Sequence, residues 1–238
     1  MIEIHRAGAW HPAANLQGYG DDRCRVEYLA SYVFGDHPIP LALNWPVEFA
    51  PEPALDDGTP DRRVPAFLYD MVPQGRGRRF LIDLLGIDDT GDKLVMPLLF
   101  NGAFNPIGCL RISSAVDFYK DQAKKNPAGA TEGFTLEEIR SKTEDFLEHM
   151  ALHAMLAAGT TGVQGVAPKY LLTQDDAGNY FADLALADDK ARAHWLVKLP
   201  RGRSETDLLI HRNELAYLKL SGKCGVRSLA EPRLVGTM

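Results

Sequence analysis

A glycine-rich segment followed by a strand that carries one lysine limits, more than any other feature, what this chain can fold into. The segment 156–173 reads LAAGTTGVQGVAPKYLLT and puts three glycines in one short loop. The later run 194–199 (HWLVKL) predicts a buried strand with Lys198 set into it. Glycines let backbone N–H groups approach phosphate oxygens, and a strand lysine can reach the same oxygens as a point charge. Together they predict a phosphate-binding site.

A lysine in an apolar strand needs an anionic partner, because burying an unpaired charge is costly. Glu214 follows within a predicted helix that Ser204 caps and that runs from Glu205 to about Leu220, before Gly222. A glycine loop, a strand lysine and a helix glutamate, in this order, are the elements of the ATP-binding lobe of protein kinases. The competing interpretation is that Lys198 extends to solvent and Glu214 is an ordinary solvated helix residue.

The glycine segment does not match two common phosphate-binding motifs. No GKS or GKT follows it, so it is not a Walker A loop, and its spacing is not the GxGxxG of dinucleotide-binding folds. The two hydroxyls beside the glycines, Thr160 and Thr161, are consistent either with phosphate acceptors or with ordinary turn residues. The segment alone is therefore typical of a turn, and the lysine and glutamate that follow it favour the phosphate site.

Several segments occur in an order that resembles a known family. They are Gly162-Val163-Gln164 with Lys169-Tyr170-Leu171-Leu172, the HWLVKLP run at 194–200, Asn213-Glu214, and upstream the VPQG run at 72–75 with Arg79, LLFNGAF at 98–104 and GCLR at 108–111. Over most of its length the chain resembles the N-terminal half of HipA-type serine/threonine kinases, which are the toxins of bacterial toxin–antitoxin modules.

The resemblance implies a role for each matching residue. Lys198 would orient the α- and β-phosphates of ATP, which such kinases use with Mg²⁺, and Glu214 would hold the lysine. The phosphates would be covered by the loop residues Thr161, Gly162, Val163 and Gln164. A serine near this loop is autophosphorylated in the family, and here Thr160 and Thr161 are the nearest hydroxyls. The loop also carries extra residues, 165–168, before Lys169.

The resemblance also implies an activity and its partners. A HipA-like kinase is a transferase that phosphorylates a serine or threonine of a protein; the family suggests an aminoacyl-tRNA synthetase, with translation arrest as the result. An antitoxin protein with a DNA-binding domain is the expected partner. The catalytic aspartate and the second, Mg²⁺-holding acid of kinases lie in a C-terminal lobe, and no HRD-like or DFG-like segment precedes Met238. We therefore expect no catalytic residue in this chain, and a missing half or partner chain.

Two alternatives remain open at this stage. The chain could be a non-catalytic module that docks on, or neutralises, a related kinase in a toxin–antitoxin system. It could also be an unrelated nucleotide-binding α+β protein, which would be favoured if Lys198 and Glu214 lay far apart.

Composition narrows the class of partner. The net charge of −6 gives no general attraction to nucleic acid or anionic membranes, and no apolar run is long enough to span a bilayer. Three scattered cysteines, Cys24, Cys109 and Cys224, predict neither a disulfide framework nor a metal site. We expect a cytoplasmic protein that binds no nucleic acid directly.

The pattern of strands and helices predicts an α+β fold in two parts. Residues 1–115 form a small N-terminal α+β subdomain, 116–133 a linker, and 134–238 a kinase-like N-lobe, an antiparallel sheet with packed helices that ends before the hinge. The predicted elements of the first part are strands at 25–34, 39–43 and 109–112, helices at 65–73 and 79–85, a turn at Gly75 and Gly77, and a buried helix or strand from Leu94. Those of the second are a helix from Thr135 to about Ala158, strands at 169–173, 180–185 and 194–199, the capped helix, and the opening of a strand at 230–235.

Overall fold

The computed structural model describes residues 1–20, 23–49, 64–104, 108–125, 133–141, 169–183, 185–200, 204–226 and 232–235. Two antiparallel sheets, each accompanied by helices, make up this part of the chain. The predicted α+β fold class is confirmed.

The first sheet is antiparallel and has the strand order β3-β2-β1-β4. Its strands are β1 (Ile2–Arg6), β2 (Ala9–Gly18), β3 (Cys24–Tyr28) and β4 (Leu110–Ile112). Alternation along β1 sends Ile2 and Ile4 into the core and Glu3, between them, to the opposite face. Strands β1 and β2 join through Ala7 and Gly8, both at positive φ, as in tight two-residue hairpin turns.

Helices pack with this sheet around one hydrophobic core. They are α1 (Ala30–Val33), α2 (Ala66–Tyr69), α3 (Gly75–Leu85), α4 (Val95–Gly102) and α5 (Ser113–Lys125), with a 3₁₀ turn at Gly91–Leu94 before α4. The largest fully buried side chains of this core are those of Ile2, Ile4, Leu68, Leu81, Met96, Leu98, Leu99, Phe104 and Ile112. Helix α4 is buried along most of its length, which explains why its sequence, VMPLLFNG, has no polar face.

Three local predictions in this part are wrong. The β-rich run 25–34 is a strand only to Tyr28, after which the chain turns into α1. No strand forms at 39–43, where Ala42 makes only an isolated bridge to Trp45. Gly75 and Gly77 lie inside the first turns of α3 instead of in a turn before it. Gly86 does end α3 in the left-handed conformation, as predicted.

The first part of the predicted linker, 116–133, is a packed helix. Helix α5 extends to Lys125, and Ala115 and Val116 are buried in the first core. Phe118 and Tyr119 pack against the same core, and burial raises the pKa of Tyr119 to about 12. Within 116–125, the polar residues that suggested a linker occupy the other side of an amphipathic helix. Residues 126–132 lie outside the described part of the chain.

The second sheet has the order β6-β5-β7 and is antiparallel throughout. Its strands are β5 (Lys169–Gln174), β6 (Tyr180–Ala182) and β7 (Ala193–Lys198), with a 3₁₀ turn at Asp188–Lys190 before β7. The hairpin between β5 and β6 turns at 175–179, where Gly178 has a φ of 91°. A smaller core joins this sheet to helix α6 (Leu136–Ser141) through Ile139, Leu172 and Tyr180.

Capping sets where the helices of the second part begin. Thr135 and Glu138 form the predicted capping box at the start of α6, with Glu138 Oε2 accepting from the Thr135 N–H at 2.7 Å. Helix α7 (Glu205–Lys223) begins at Ser204, whose hydroxyl accepts from the Asp207 N–H at 3.2 Å. It continues through Gly222, beyond its predicted end. The predicted strand at 230–235 is not seen in its described residues, 232–235.

Candidate functional site

The structure brings Lys198 and Glu214 together. Lys198 is the last residue of β7, and its Nζ donates to Oε1 of Glu214 on α7. Their side chains are 31% and 37% exposed, so the pair lies at the edge of the packed region and stays open to solvent. His211 lies beside the pair, with its Nδ1 4.0 Å from Oε2 of Glu214. A ligand in solution can therefore reach the ammonium group of Lys198.

Local sequence explains why these two side chains meet. The capping box at Ser204 fixes the start of α7. Asp207, His211 and Glu214 are spaced four and three residues apart, so they share the face of α7 that turns toward the sheet. Glu214 is thereby carried back to the end of β7, where Lys198 emerges.

A second lysine lies directly across the ladder from Lys198. Lys169 and Lys198 are Cα partners in the antiparallel pairing of β5 with β7. Opposed residues in such a pair project from the same face of the sheet, with Cβ atoms about 5 Å apart. The chain enters β5 at Lys169 directly from the glycine-rich segment. The end of that segment and the Lys198–Glu214 pair are therefore neighbours.

The remaining predicted site residues belong to the glycine-rich segment. Thr160, Thr161, Gly162, Val163 and Gln164 lie outside the described residues. In the described ranges there is also no group of three or more His, Cys, Asp or Glu side chains that could hold a metal ion. The described site consists of the Lys198–Glu214 pair, with Lys169 opposite and His211 beside it.

A polar cluster that was not predicted from the sequence lies in the same sheet. Thr173 is fully buried, and its hydroxyl donates to Oδ1 of Asp183 at 2.6 Å and lies 3.2 Å from Nδ1 of His194. Nδ1 of His194 and Oδ1 of Asp183 are 3.4 Å apart. The predicted hairpin could have shown that Thr173 and Asp183 share a face, but the register of the third strand could not be read from the sequence. Because the hydroxyl is inaccessible to solvent, the cluster offers no nucleophile to a substrate, and we assign it to holding β5, β6 and β7 together.

Replacing Thr173 with valine is expected to lower the free energy of unfolding by about 1–3 kcal/mol, because the buried hydroxyl that donates to the Asp183 carboxylate is lost. Thr173→Ser keeps the hydroxyl and serves as the matched control, with a smaller loss from the missing methyl group. Urea unfolding of both variants measures the difference. Equal losses for valine and serine would show that packing, and not the hydrogen bonds, is what Thr173 contributes.

Comparisons of this chain with models of known protein families, with curated proteins and with solved structures find no match. Within the described residues, no helix combines the length and the apolar character that crossing a bilayer requires.

Proposed function

We propose that the Lys198–Glu214 pair holds the phosphates of ATP in the N-terminal part of a HipA-like serine/threonine protein kinase. The observation that carries the proposal is the contact between the Lys198 ammonium, at the end of a sheet strand, and the Glu214 carboxylate on the following helix. A strand lysine held by a helix glutamate is the arrangement that protein kinases use to position ATP phosphates. The alternative based on a large separation between Lys198 and Glu214 loses its ground, because the two are in contact.

The donor set suits a phosphate ligand. The Lys198 ammonium group has three N–H donors. One donates to Glu214, and the other two can donate to phosphate oxygens. Glu214 restricts the positions of the ammonium, so less conformational entropy is lost when a phosphate binds. Lys169, on the same face, adds positive charge near the point where the glycine-rich segment joins β5. In this proposal Thr161, Gly162, Val163 and Gln164 cover the phosphates with their backbone N–H groups.

The described residues provide fewer ligands for Mg²⁺ than for phosphate. Mg²⁺ in ATP-dependent enzymes is commonly bound through one or two carboxylates together with substrate phosphates and water. Since the described ranges contain no acidic cluster, the ion would enter with ATP, whose γ-phosphoryl group supplies the chemistry of the transfer. A protein hydroxyl is the proposed acceptor, Thr160 or Thr161 the proposed site of autophosphorylation, and an antitoxin protein the proposed partner.

Lys198→Ala is expected to weaken ATP–Mg²⁺ binding at least tenfold, which is about 1.4 kcal/mol, because the cation that faces the phosphates is lost. Titration calorimetry of the full chain measures the change. Lys190→Ala is the matched control, since Lys190 is an exposed lysine in the 3₁₀ turn before β7 and should leave the affinity unchanged.

Glu214→Gln tests the role of the carboxylate separately. Glutamine carries no charge and restrains the Lys198 ammonium group less than glutamate does. We therefore expect Glu214→Gln to lower the affinity for ATP–Mg²⁺ less than Lys198→Ala does. If Lys198→Ala binds ATP as well as the unaltered chain does, the pair is not a phosphate site. If the unaltered chain binds no ATP, the proposal fails in favour of the non-catalytic docking module.

A further inference from the structure

The face of α7 that points away from the sheet is apolar and exposed. Leu209, Ile210, Tyr217 and Leu220 are 51%, 57%, 72% and 53% exposed. No described residue of this helix is buried, although it is 19 residues long. Large apolar side chains that are contiguous and solvent-exposed commonly mark interaction sites.

These side chains form a continuous seam. Leu209, Asn213, Ala216 and Leu220 follow one another at spacings of four, three and four residues, and all are exposed. Ile210 and Tyr217, seven residues apart, run alongside. This is the repeat by which one helix packs against another over several turns. We call these six residues the α7 seam.

The line of Leu209, Asn213, Ala216 and Leu220 lies on a different side of the helix from the Lys198–Glu214 pair, whereas Ile210 and Tyr217 lie one turn from Glu214. At 100° per residue, Glu214 is about 140° around the axis from Leu209. A partner centred on the line of Leu209, Asn213, Ala216 and Leu220 therefore leaves the contact between Glu214 and Lys198 in place. A partner bound there and a nucleotide bound at Lys198 would occupy separate surfaces.

A basic edge borders the α7 seam. Arg212, Lys219 and Lys223 are exposed and line the side of the seam next to Leu209, Ala216 and Leu220. Within the described part of the chain, no acidic side chain forms an ion pair with any of the three. Glu205 lies on the same side but in the first turn, so the last three turns of the edge carry positive charge only.

This charge pattern argues against a second copy of the chain as the occupant. In an antiparallel pair with Leu209 packed on Leu220 of the other copy, Arg212 would face Lys219. In a parallel pair, the basic edge of one copy would face the Ile210 and Tyr217 side of the other, where the neighbouring carboxylate, Glu214, is already paired with Lys198. Like charges opposed across a helix pair are destabilising, so a partner with the opposite charge fits the edge better.

We propose that the α7 seam docks an amphipathic helix of another protein, one whose apolar stripe is bordered by acidic residues that pair with Arg212, Lys219 and Lys223. The apolar stripe supplies most of the affinity through buried area. The acidic border sets the orientation and the choice of partner.

The test uses two stapled helical peptides of about 20 residues, long enough to span α7. Both carry leucine at heptad a and d positions; one has glutamate at the bordering positions and the other has lysine. Fluorescence anisotropy with the full chain is expected to show at least tenfold tighter binding of the glutamate peptide. The preference should shrink at high salt, because exposed ion pairs are screened.

Charge reversal at the edge is the decisive variant. The double substitution Arg212→Glu with Lys219→Glu should exchange the preference, so that the lysine peptide binds more tightly, while the control Lys190→Glu keeps the original order. Leu209→Ser with Tyr217→Ser should abolish binding of both peptides with an unchanged melting temperature, because both side chains are exposed. Lys198→Ala should leave peptide binding unchanged, which separates this proposal from the ATP site.

Four outcomes would overturn the proposal. One is equal affinity for the two peptides, and another is peptide binding that survives the Leu209 and Tyr217 substitutions. A third is a dimer in sedimentation velocity that these substitutions convert to monomer, which would make a second copy the occupant. The fourth is a lower melting temperature for the same variant with no peptide bound by the unaltered chain, which would mean that the chain covers the seam itself.

Discussion

Replacing Phe104 with alanine is expected to lower the free energy of unfolding by about 3–5 kcal/mol, the range for a large aromatic side chain removed from a core. Phe104 is fully buried after the end of α4, and its ring stacks on Tyr119 of α5 with centroids 4.6 Å apart. Loss of the ring leaves a cavity between α4 and α5 and removes a stacking contact. Urea unfolding followed by circular dichroism measures the loss.

Phe34→Ala is the control for Phe104→Ala. Phe34 is 77% exposed, so the same deletion should change the free energy of unfolding by no more than about 0.5 kcal/mol. If Phe104→Ala lowered the free energy of unfolding by less than about 1 kcal/mol, the packing described for α4 and α5 would be contradicted. So small a loss requires that the cavity be refilled completely.

Gly102→Ala is expected to destabilise the protein by about 1–3 kcal/mol through overpacking. A Cβ atom at this position would lie 2.3 Å from Cγ of Pro73 and 2.7 Å from Cδ2 of Leu81. Pro73 is buried, and its ring cannot change rotamer to make room for the added Cβ atom. Helix α4 would therefore have to move away from the segment that precedes α3. Thermal and urea unfolding of the variant test the prediction.

The same substitution at Gly222 should have the opposite sign. Gly222 lies within the last turn of α7, and a Cβ there would meet no atom within 4 Å. Alanine has the higher helix propensity, so Gly222→Ala should raise stability by up to about 1 kcal/mol. If both variants lost stability equally, contact with Pro73 would not be the cause at Gly102.

Much of the second part could be predicted from sequence because its signals are local. The capping residues Thr135 and Ser204 place two helix starts, and the turn residues at 175–178 (DDAG) place a hairpin. The prediction of a linker at 116–125 was wrong because the contacts that hold this segment are not local. The polar residues of 116–125 suggested exposure, whereas Val116 and Tyr119 are held by contacts with residues distant in sequence. Such contacts cannot be read from composition.

The same division holds for the candidate site. Pairing Lys198 with Glu214 followed from the cost of a lysine in an apolar strand, and the two residues are in contact. That Lys169 lies opposite Lys198, and that Thr173 meets His194, depends on the register between β5 and β7. These strands are separated by β6 and a 3₁₀ turn, and no turn residue fixes their alignment. The ATP-binding role of the site remains a prediction.

The cross-strand position of Lys169 and Lys198 also determines where the chain can tolerate changes of length. Side chains alternate between the faces of a strand, so one residue added within β5 would send Lys169 to the opposite face and shift the junction with the glycine-rich segment. A residue added at the hairpin turn after β5 leaves that alignment untouched. Among natural variants of this chain, insertions should therefore accumulate at 175–178 and be rare between Lys169 and Gln174.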